Sequence, residues 1–419
     1  MVGRALFFIA LAGLLSSTTY LVLALIAALR FRFAPPEASP SGDRDAPWPA
    51  VSLLKPLRGM EPHLEENLES FFRQDYPAFE LIFGARDAGD PALGVVGALR
   101  QKYPGVKTRV ILSGEPAYPS PKVYALEKMA ASSSYQYLVI TDSDVQVTPD
   151  FLKRIVRPLL KPSVGLVTCV YRGVPTGGLW SVLEALGMSV EMSSGVLVAE
   201  LLEGMKFALG PAMATRKDVL ARIGGIEALA AYYSDDFVLG QLTDAAGRKV
   251  VLSRHVIDHM ALNRSARASL RHQIRWMKST RFSRPLGHVG SLLTFAMPFG
   301  VLGIAAGLAM GRWPLGLALL SIAVLNRIVQ SIVVGWGAVR DSRALRFCWL
   351  YPARDLLGFF LWCGSFCSRE IVWGGERYRF GPGGKMTRHP GATGSAPELE
   401  DAAQARRSPS RSVAVDHLP

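Results

Sequence analysis

The chain has 419 residues, 49% of them hydrophobic and 19% charged, and its 47 Lys and Arg against 34 Asp and Glu leave a net charge of +13. It is too long for one small domain of roughly 100–200 residues, and its charge falls below the about 25% usual in a soluble domain. With a positive mean hydropathy, this excludes a disordered or fibrous chain and points to a membrane protein with a basic face, whose position must decide between nucleic acid and anionic lipid as its complement.

Residues 5–29 carry no charge. As a helix they reach about 38 Å, enough to cross a hydrocarbon core of about 30 Å with tilt. A cleaved signal peptide would have a shorter apolar stretch and a small-residue cleavage site. This run instead stops at Arg30 and Arg32, so residues 1–32 read as an uncleaved transmembrane anchor. Pro, Ser and Asp dominate Pro35 to Pro49, so 33–49 reads as a linker.

From 50 to 287 short apolar runs alternate with helical patterns. Strands are predicted at Val51–Leu54, Phe79–Gly84, Val106–Leu112, Tyr137–Thr141, Val164–Tyr171 and Lys249–Ser253. Helices are predicted at Glu61–Arg73, Pro91–Lys102, Lys122–Ser132, Pro149–Leu159 and Asp235–Ala246. This is the pattern of an α/β domain whose mostly parallel sheet is covered on both faces. Such sheets bind ligands at the carboxyl ends of their strands.

The acidic residues fall at those ends. Asp87 and Asp90 follow the second strand, where a carboxylate can receive hydrogen bonds from a nucleotide, or simply shape a polar turn. Asp142 and Asp144 follow YLVIT. Two carboxylates so close repel unless a cation lies between them, and oxygen ligands suit Mg²⁺ or Mn²⁺; a capping turn before Pro149 is the plainer alternative. Asp235 and Asp236 open a helix, where capping and the helix dipole favour carboxylates, and where Asp236 can also serve as a general base. In His272-Gln273-Ile274-Arg275-Trp276, Arg275 can neutralise a leaving diphosphate and Trp276 can stack on a sugar, or the pair can anchor an interfacial helix. His255, Asp258 and His259 read as structural. Walker A, nucleophile-elbow and GxGxxG motifs are missing from the sequence, as is any basic-aromatic platform for nucleic acid.

Two further uncharged runs follow, 289–311 and 313–339, the latter interrupted by Arg327. A central Arg costs about 2.5–3.5 kcal/mol on insertion scales, so it must face protein or water; Asp355 is its expected partner. A fourth run, 356–368, is short and reads as re-entrant, interfacial or the end of a crossing. Residues 288–371 thus form membrane or interfacial helices, and 372–419 a cytoplasmic or disordered tail. Arg30, Arg32, Lys278, Arg281, Arg284, Arg340, Arg343 and Arg346 flank the spans. The positive-inside rule then places 33–288 in the cytoplasm, at the inner membrane of a bacterium. Of these, Lys278, Arg281 and Arg284 offer a lesser docking surface for anionic lipid.

These acidic points and the R-W pair, in this order, resemble the ceramide glucosyltransferase family, membrane-bound relatives of family 2 glycosyltransferases. That family is described by three aspartate points and a (Q/R)xxRW motif. VSLLKPLRGMEPHLEENLESFFRQDYPAFELIFGARDAGDPA, SPKVYALEKM and GPAMATRKDVLARIGG carry the likeness, which covers about residues 50–300. RWMKSTRFSRPLGHVG also looks like hopanoid-associated bacterial relatives that glycosylate a polycyclic lipid alcohol from an N-acetylglucosamine donor. His272 departs from the motif, and Ala85 and Arg86 stand in place of an acidic pair.

The resemblance implies a GT-A fold with a mixed, mostly parallel sheet and membrane helices at both ends. It implies inverting transfer from a UDP-sugar, glucose favoured, to a ceramide-type lipid hydroxyl, with a divalent cation. Asp142 and Asp144 would hold the cation. Lys55, Asp87, Asp90, Lys122 and Asp142 would grip the nucleotide side. Asp236 would be the base, with Arg275 and Trp276 completing the catalytic set. A processive polysaccharide synthase, which needs a chain channel, and a non-catalytic lipid carrier are the competing readings.

Overall fold

The computed structural model describes residues 1–33, 48–373 and 376–393. The expected linker lies almost wholly outside the described residues, as do the last residues of the expected tail. The centre is an eight-stranded sheet built from β1 (Val51–Pro56), β2 (Phe79–Ala85), β3 (Lys107–Leu112), β4 (Tyr137–Thr141), β5 (Val145–Gln146), β6 (Val164–Pro175), β7 (Ala212–Arg216) and β8 (Lys249–Ala261), in the order β3-β2-β1-β4-β7-β6-β8-β5. β3, β2, β1 and β4 run parallel. β7 reverses direction against both β4 and β6, while β8 is parallel to β6. Helices Leu64–Phe72, Ala92–Lys102, Pro121–Ser132, Phe151–Val156 and Asp235–Ala245 flank these strands along the chain. The central strands are buried along almost their whole length, β4 from Leu138 onward and β1 from Val51 through Lys55, whereas the edge strand β3 is not. Unbroken burial is why they read as apolar runs rather than alternating ones.

Among the described residues three helices are long and apolar enough to cross a membrane: Val2–Phe33, Gly178–Glu203 and Trp313–Ala338. A fourth is possible if Pro285–Thr294 and Met297–Ala309, bent by 50°, form one span. Gly178–Glu203 was not expected from the sequence, and 78% of its most apolar window is buried inside the protein. Tyr351–Gly364 has 14 residues, about 21 Å as a helix, short of a core of about 30 Å.

Arg327 meets Asp355 as the sequence suggests. Its Nη1 lies 3.0 Å from Asp355 Oδ1 and donates to Thr294 O at 3.2 Å. The other carboxylate oxygen accepts the Ala296 and Met297 amides at 3.0 and 2.8 Å. Asp355 therefore neutralises the buried cation and caps the helix that restarts after the 50° bend.

The C-terminal region differs from the tail expected from 372. β9 (Glu370–Trp373), β10 (Glu376–Phe380) and β11 (Met386–Thr393) make an antiparallel sheet in the order β11-β10-β9. In β10, buried Tyr378 and Phe380 alternate with exposed Arg377 and Arg379. That period of two is a strand signal which the Gly- and Pro-rich composition outweighed. Phe380 stacks on Phe282 and meets Tyr233 edge-on, so the small sheet is fastened to the large domain.

Candidate active site

A cavity of about 590 Å³ opens over the carboxyl end of β4. The strand ends at Thr141, and the turn that follows presents Asp142 and Asp144. Lys122 arrives in the first turn of Pro121–Ser132, a helix started by Ser120, whose side chain accepts the Val123 amide, and by Pro121 at the first helical position. Its Nζ lies 2.7 Å from Asp142 Oδ1 and 3.8 Å from Asp235 Oδ2. Burial opposes the charge on Lys122, but Asp142 and Asp235 outweigh it and hold the ammonium above its ordinary range.

Asp236 is fixed by two amides, Gly210 N to Oδ2 at 2.7 Å and Phe237 N to Oδ1 at 2.8 Å. Burial, and then the neighbouring Asp235 carboxylate, push Asp236 up to about 6. A side chain at Gly210 would put its Cβ 3.1 Å from Asp236 Oδ2 and 3.7 Å from Asp142 Oδ2. Glycine there lets two carboxylates from distant segments face one small space.

Arg275 and Trp276 line the same cavity from the helix Ala266–Ser283. Arg275 hydrogen-bonds Tyr233, and its Nε is buried without a partner. The cations that follow are engaged by protein. Lys278 donates to Glu370 O and Arg281 to Ser365 O, both at 2.8 Å, and Arg284 pairs with Glu203. Lys278 and Arg281 bind this helix to the C-terminal segment, and Arg284 binds its end to the helix Ser193–Glu203, so all three are engaged within the protein.

Lys122, Asp142, Asp144, Asp236, Arg275 and Trp276 thus come together. Lys55 does not join them on the cavity face. It is fully buried, with Nζ 2.6 Å from Asp142 O, 3.2 Å from Thr141 Oγ1 and 3.7 Å from the Phe71 ring centre. Burial lowers it to about 7 despite the nearby carboxylates. It supports the turn from beneath, its ammonium bonded to Asp142 O. Asp87 and Asp90 sit on the same edge of the sheet, outside the cavity lining. Asp87 Oδ1 accepts the Gly89 amide at 2.9 Å, and both Asp90 oxygens accept Gly59 N at 3.0 Å. Asp90 thereby ties the loop after β2 to the loop after β1.

Sequence reasoning missed four lining residues. Glu61 accepts Ser143 Oγ at 2.8 Å, and burial, then Asp144, raise it to about 7. His259, expected to be purely structural, faces Asp144 with Nε2 3.3 Å from Oδ2; that carboxylate overcomes burial and raises the imidazole, which in turn lowers Asp144. Tyr171 and Trp373 complete the set, the latter from β9. Each is brought in by a long-range crossing of the chain, which no local motif marks.

The turn suits a hard cation. Asp144 Oδ1 is buried with no hydrogen-bond partner. Among the described residues no three His, Cys, Asp or Glu are grouped as a complete ligand set. Two carboxylates with open positions fit Mg²⁺ or Mn²⁺, which commonly binds through one or two carboxylates and substrate phosphates.

The sequence profile described as glycosyl transferase family 21 matches residues 6–386. The chain belongs to that family. Ceramide glucosyltransferase 1 of Caenorhabditis elegans is 24% identical over 348 residues, 82% of this chain and 74% of that protein. The ceramide glucosyltransferase of Komagataella phaffii is 40% identical over 113 residues, 26% of this chain and 22% of that protein. A mannosyltransferase from Pyrobaculum calidifontis, solved with GDP-Man and Mn²⁺, superposes with a TM-score of 0.50 at 19% identity, covering 85% of this chain and 98% of that one. The fold of this family 21 protein is that of a GT-A-like glycosyltransferase, and its family makes it a sugar transferase.

Proposed function

We propose that the protein transfers a sugar, glucose in the first instance, from a UDP-sugar to the hydroxyl of a ceramide-type membrane lipid, inverting the anomeric centre. The observation that carries this reading is the mixed lining of the cavity. Lys122, Asp142, Asp144 and Asp236 supply charge, and Trp276, Met260, Leu262 and Met192 supply apolar surface. Met192 belongs to Gly178–Glu203, one of the membrane-apolar helices. A polar donor and a lipid acceptor need such a pair of surfaces. The names of the relatives support the choice of ceramide and glucose.

Asp236 takes the proton of the acceptor hydroxyl while that oxygen bonds to the anomeric carbon. The bond from this carbon to the diphosphate oxygen breaks in the same step, so an α-linked donor gives a β-glycoside. Lys122 and Arg275 lie where charge builds on the departing UDP, and fixed cations matched to developing charge are an effective source of catalysis. Asp142 and Asp144 would hold the divalent cation, which supplies further neutralisation of the diphosphate. Asp87 remains the candidate contact for the nucleoside.

The test is a matrix of UDP-glucose and UDP-N-acetylglucosamine against ceramide, diacylglycerol and bacteriohopanetetrol, with products read by mass. Glucosylceramide is the expected product. Asp236→Asn is expected to lower the rate by about 10²–10⁴-fold while the protein stays folded. Near-wild-type transfer by that variant would remove Asp236 from the role of base.

A further inference from the structure

One buried carboxylate that the proposed reaction does not use meets a residue of the cavity lining. Glu184 is 2% exposed, on the helix Gly178–Leu186 within the membrane-apolar segment Gly178–Glu203. It receives Ser269 Oγ at 2.6 Å, Asn263 Nδ2 at 3.0 Å and His272 Nδ1 at 2.7 Å. Ser and Asn supply donated protons, the arrangement an ionised carboxylate requires. The proton between Glu184 and His272 therefore resides on Nδ1, which fixes the imidazole's tautomer and ring plane. That leaves Nε2 as the free face of a ring that lines the cavity beside Trp276, the ring centres 4.4 Å apart. A buried carboxylate orienting an imidazole that faces a cavity is how sites present a nitrogen to a hydroxyl.

We propose that His272, held by Glu184, is the specificity-determining contact for the polar head of the lipid acceptor, accepting a hydrogen bond at Nε2 from one of its hydroxyls, and that Glu184 is the residue that positions it. This rests on the lipid-acceptor reading above. The elements that supply each group decide between donor and acceptor. Glu184 belongs to the membrane-apolar segment Gly178–Glu203, as does Met192 of the cavity lining, and Asn263, which also lines the cavity, donates to Glu184. Lys122 and Asp142 instead pair with each other at the carboxyl end of β4. Proton removal stays with Asp236, so His272 sets which lipid is held rather than whether chemistry occurs.

The experiment uses the full-length protein in detergent micelles with fluorescent ceramide and fluorescent diacylglycerol as probes, no donor being present, alongside steady-state transfer. His272→Ala is expected to weaken binding of the preferred probe, and to raise its KM in transfer, by about tenfold, the scale of one net hydrogen bond. The KM for UDP-sugar and the slow hydrolysis of UDP-sugar without lipid should stay within about twofold of wild type, since no donor contact changes. His272→Gln, which keeps a hydrogen-bonding group, should recover most of the loss, and Glu184→Gln should resemble His272→Ala. Unchanged probe binding in His272→Ala, or a rise in donor KM instead, would overturn the assignment. Wild-type binding of a probe with no transfer to it would sink the proposed function while the variants still decided this contact. Binding of neither probe by wild type would overturn both.

Discussion

A general base works best with a pKa near the pH at which it operates. Burial and the adjacent Asp235 bring Asp236 to about 6. Below that value the carboxyl holds its proton and cannot take another, so kcat/KM is expected to fall as pH drops through about 6 and to level off above it. A pH profile on wild type checks this, and a flat profile across that range would assign the proton elsewhere. The acidic points and the R-W pair were legible because each sits at a strand end or helix start, where local sequence marks the spot. Lys55 misled because an opening motif says nothing of depth. The lysine closes under Asp142 with its ammonium on a carbonyl and an aromatic face. Glu61, His259 and Trp373 were illegible for the opposite reason, since only tertiary folding carries them to the cavity.

At the scale of elements, the apolar strands were readable to within a few residues because burial on both faces leaves continuous hydrophobic runs. β8 and β6 extend well past their apolar starts, to Ala261 and Pro175. Pairing with each other sustains them where hydropathy fades. β7 was overlooked as a strand, a short piece stabilised by neighbours on both sides. The break between Pro285–Thr294 and Met297–Ala309 has a specific cause in Asp355, which caps the restarted helix and holds Arg327. Asp355→Ala removes both services, leaving a buried cation and two amides unpaired. Losing one partner of a buried ion pair costs about 3–5 kcal/mol, so a clearly lower thermal unfolding temperature in detergent is expected. An unchanged melting curve would mean that water already serves the break.

For the whole molecule, we propose from the basic flanks that the sheet lies on the cytoplasmic side. Trypsin is accordingly expected to digest the sheet domain that follows Val2–Phe33 in inside-out vesicles and to spare it in right-side-out ones; the reverse pattern would overturn the orientation. The first helix is more than a tether. Arg254, on β8, donates to Phe31 O at 2.9 Å and to Arg30 O at 3.4 Å, meeting the carboxyl end of Val2–Phe33 with a cation. The first helix is thereby tied to the sheet that carries the cavity. Under the proposed function, an enzyme anchored in this way searches for its lipid in two dimensions. Its pace on that substrate would follow the lipid's mole fraction in the surface, while its pace on the nucleotide sugar would follow ordinary bulk concentration.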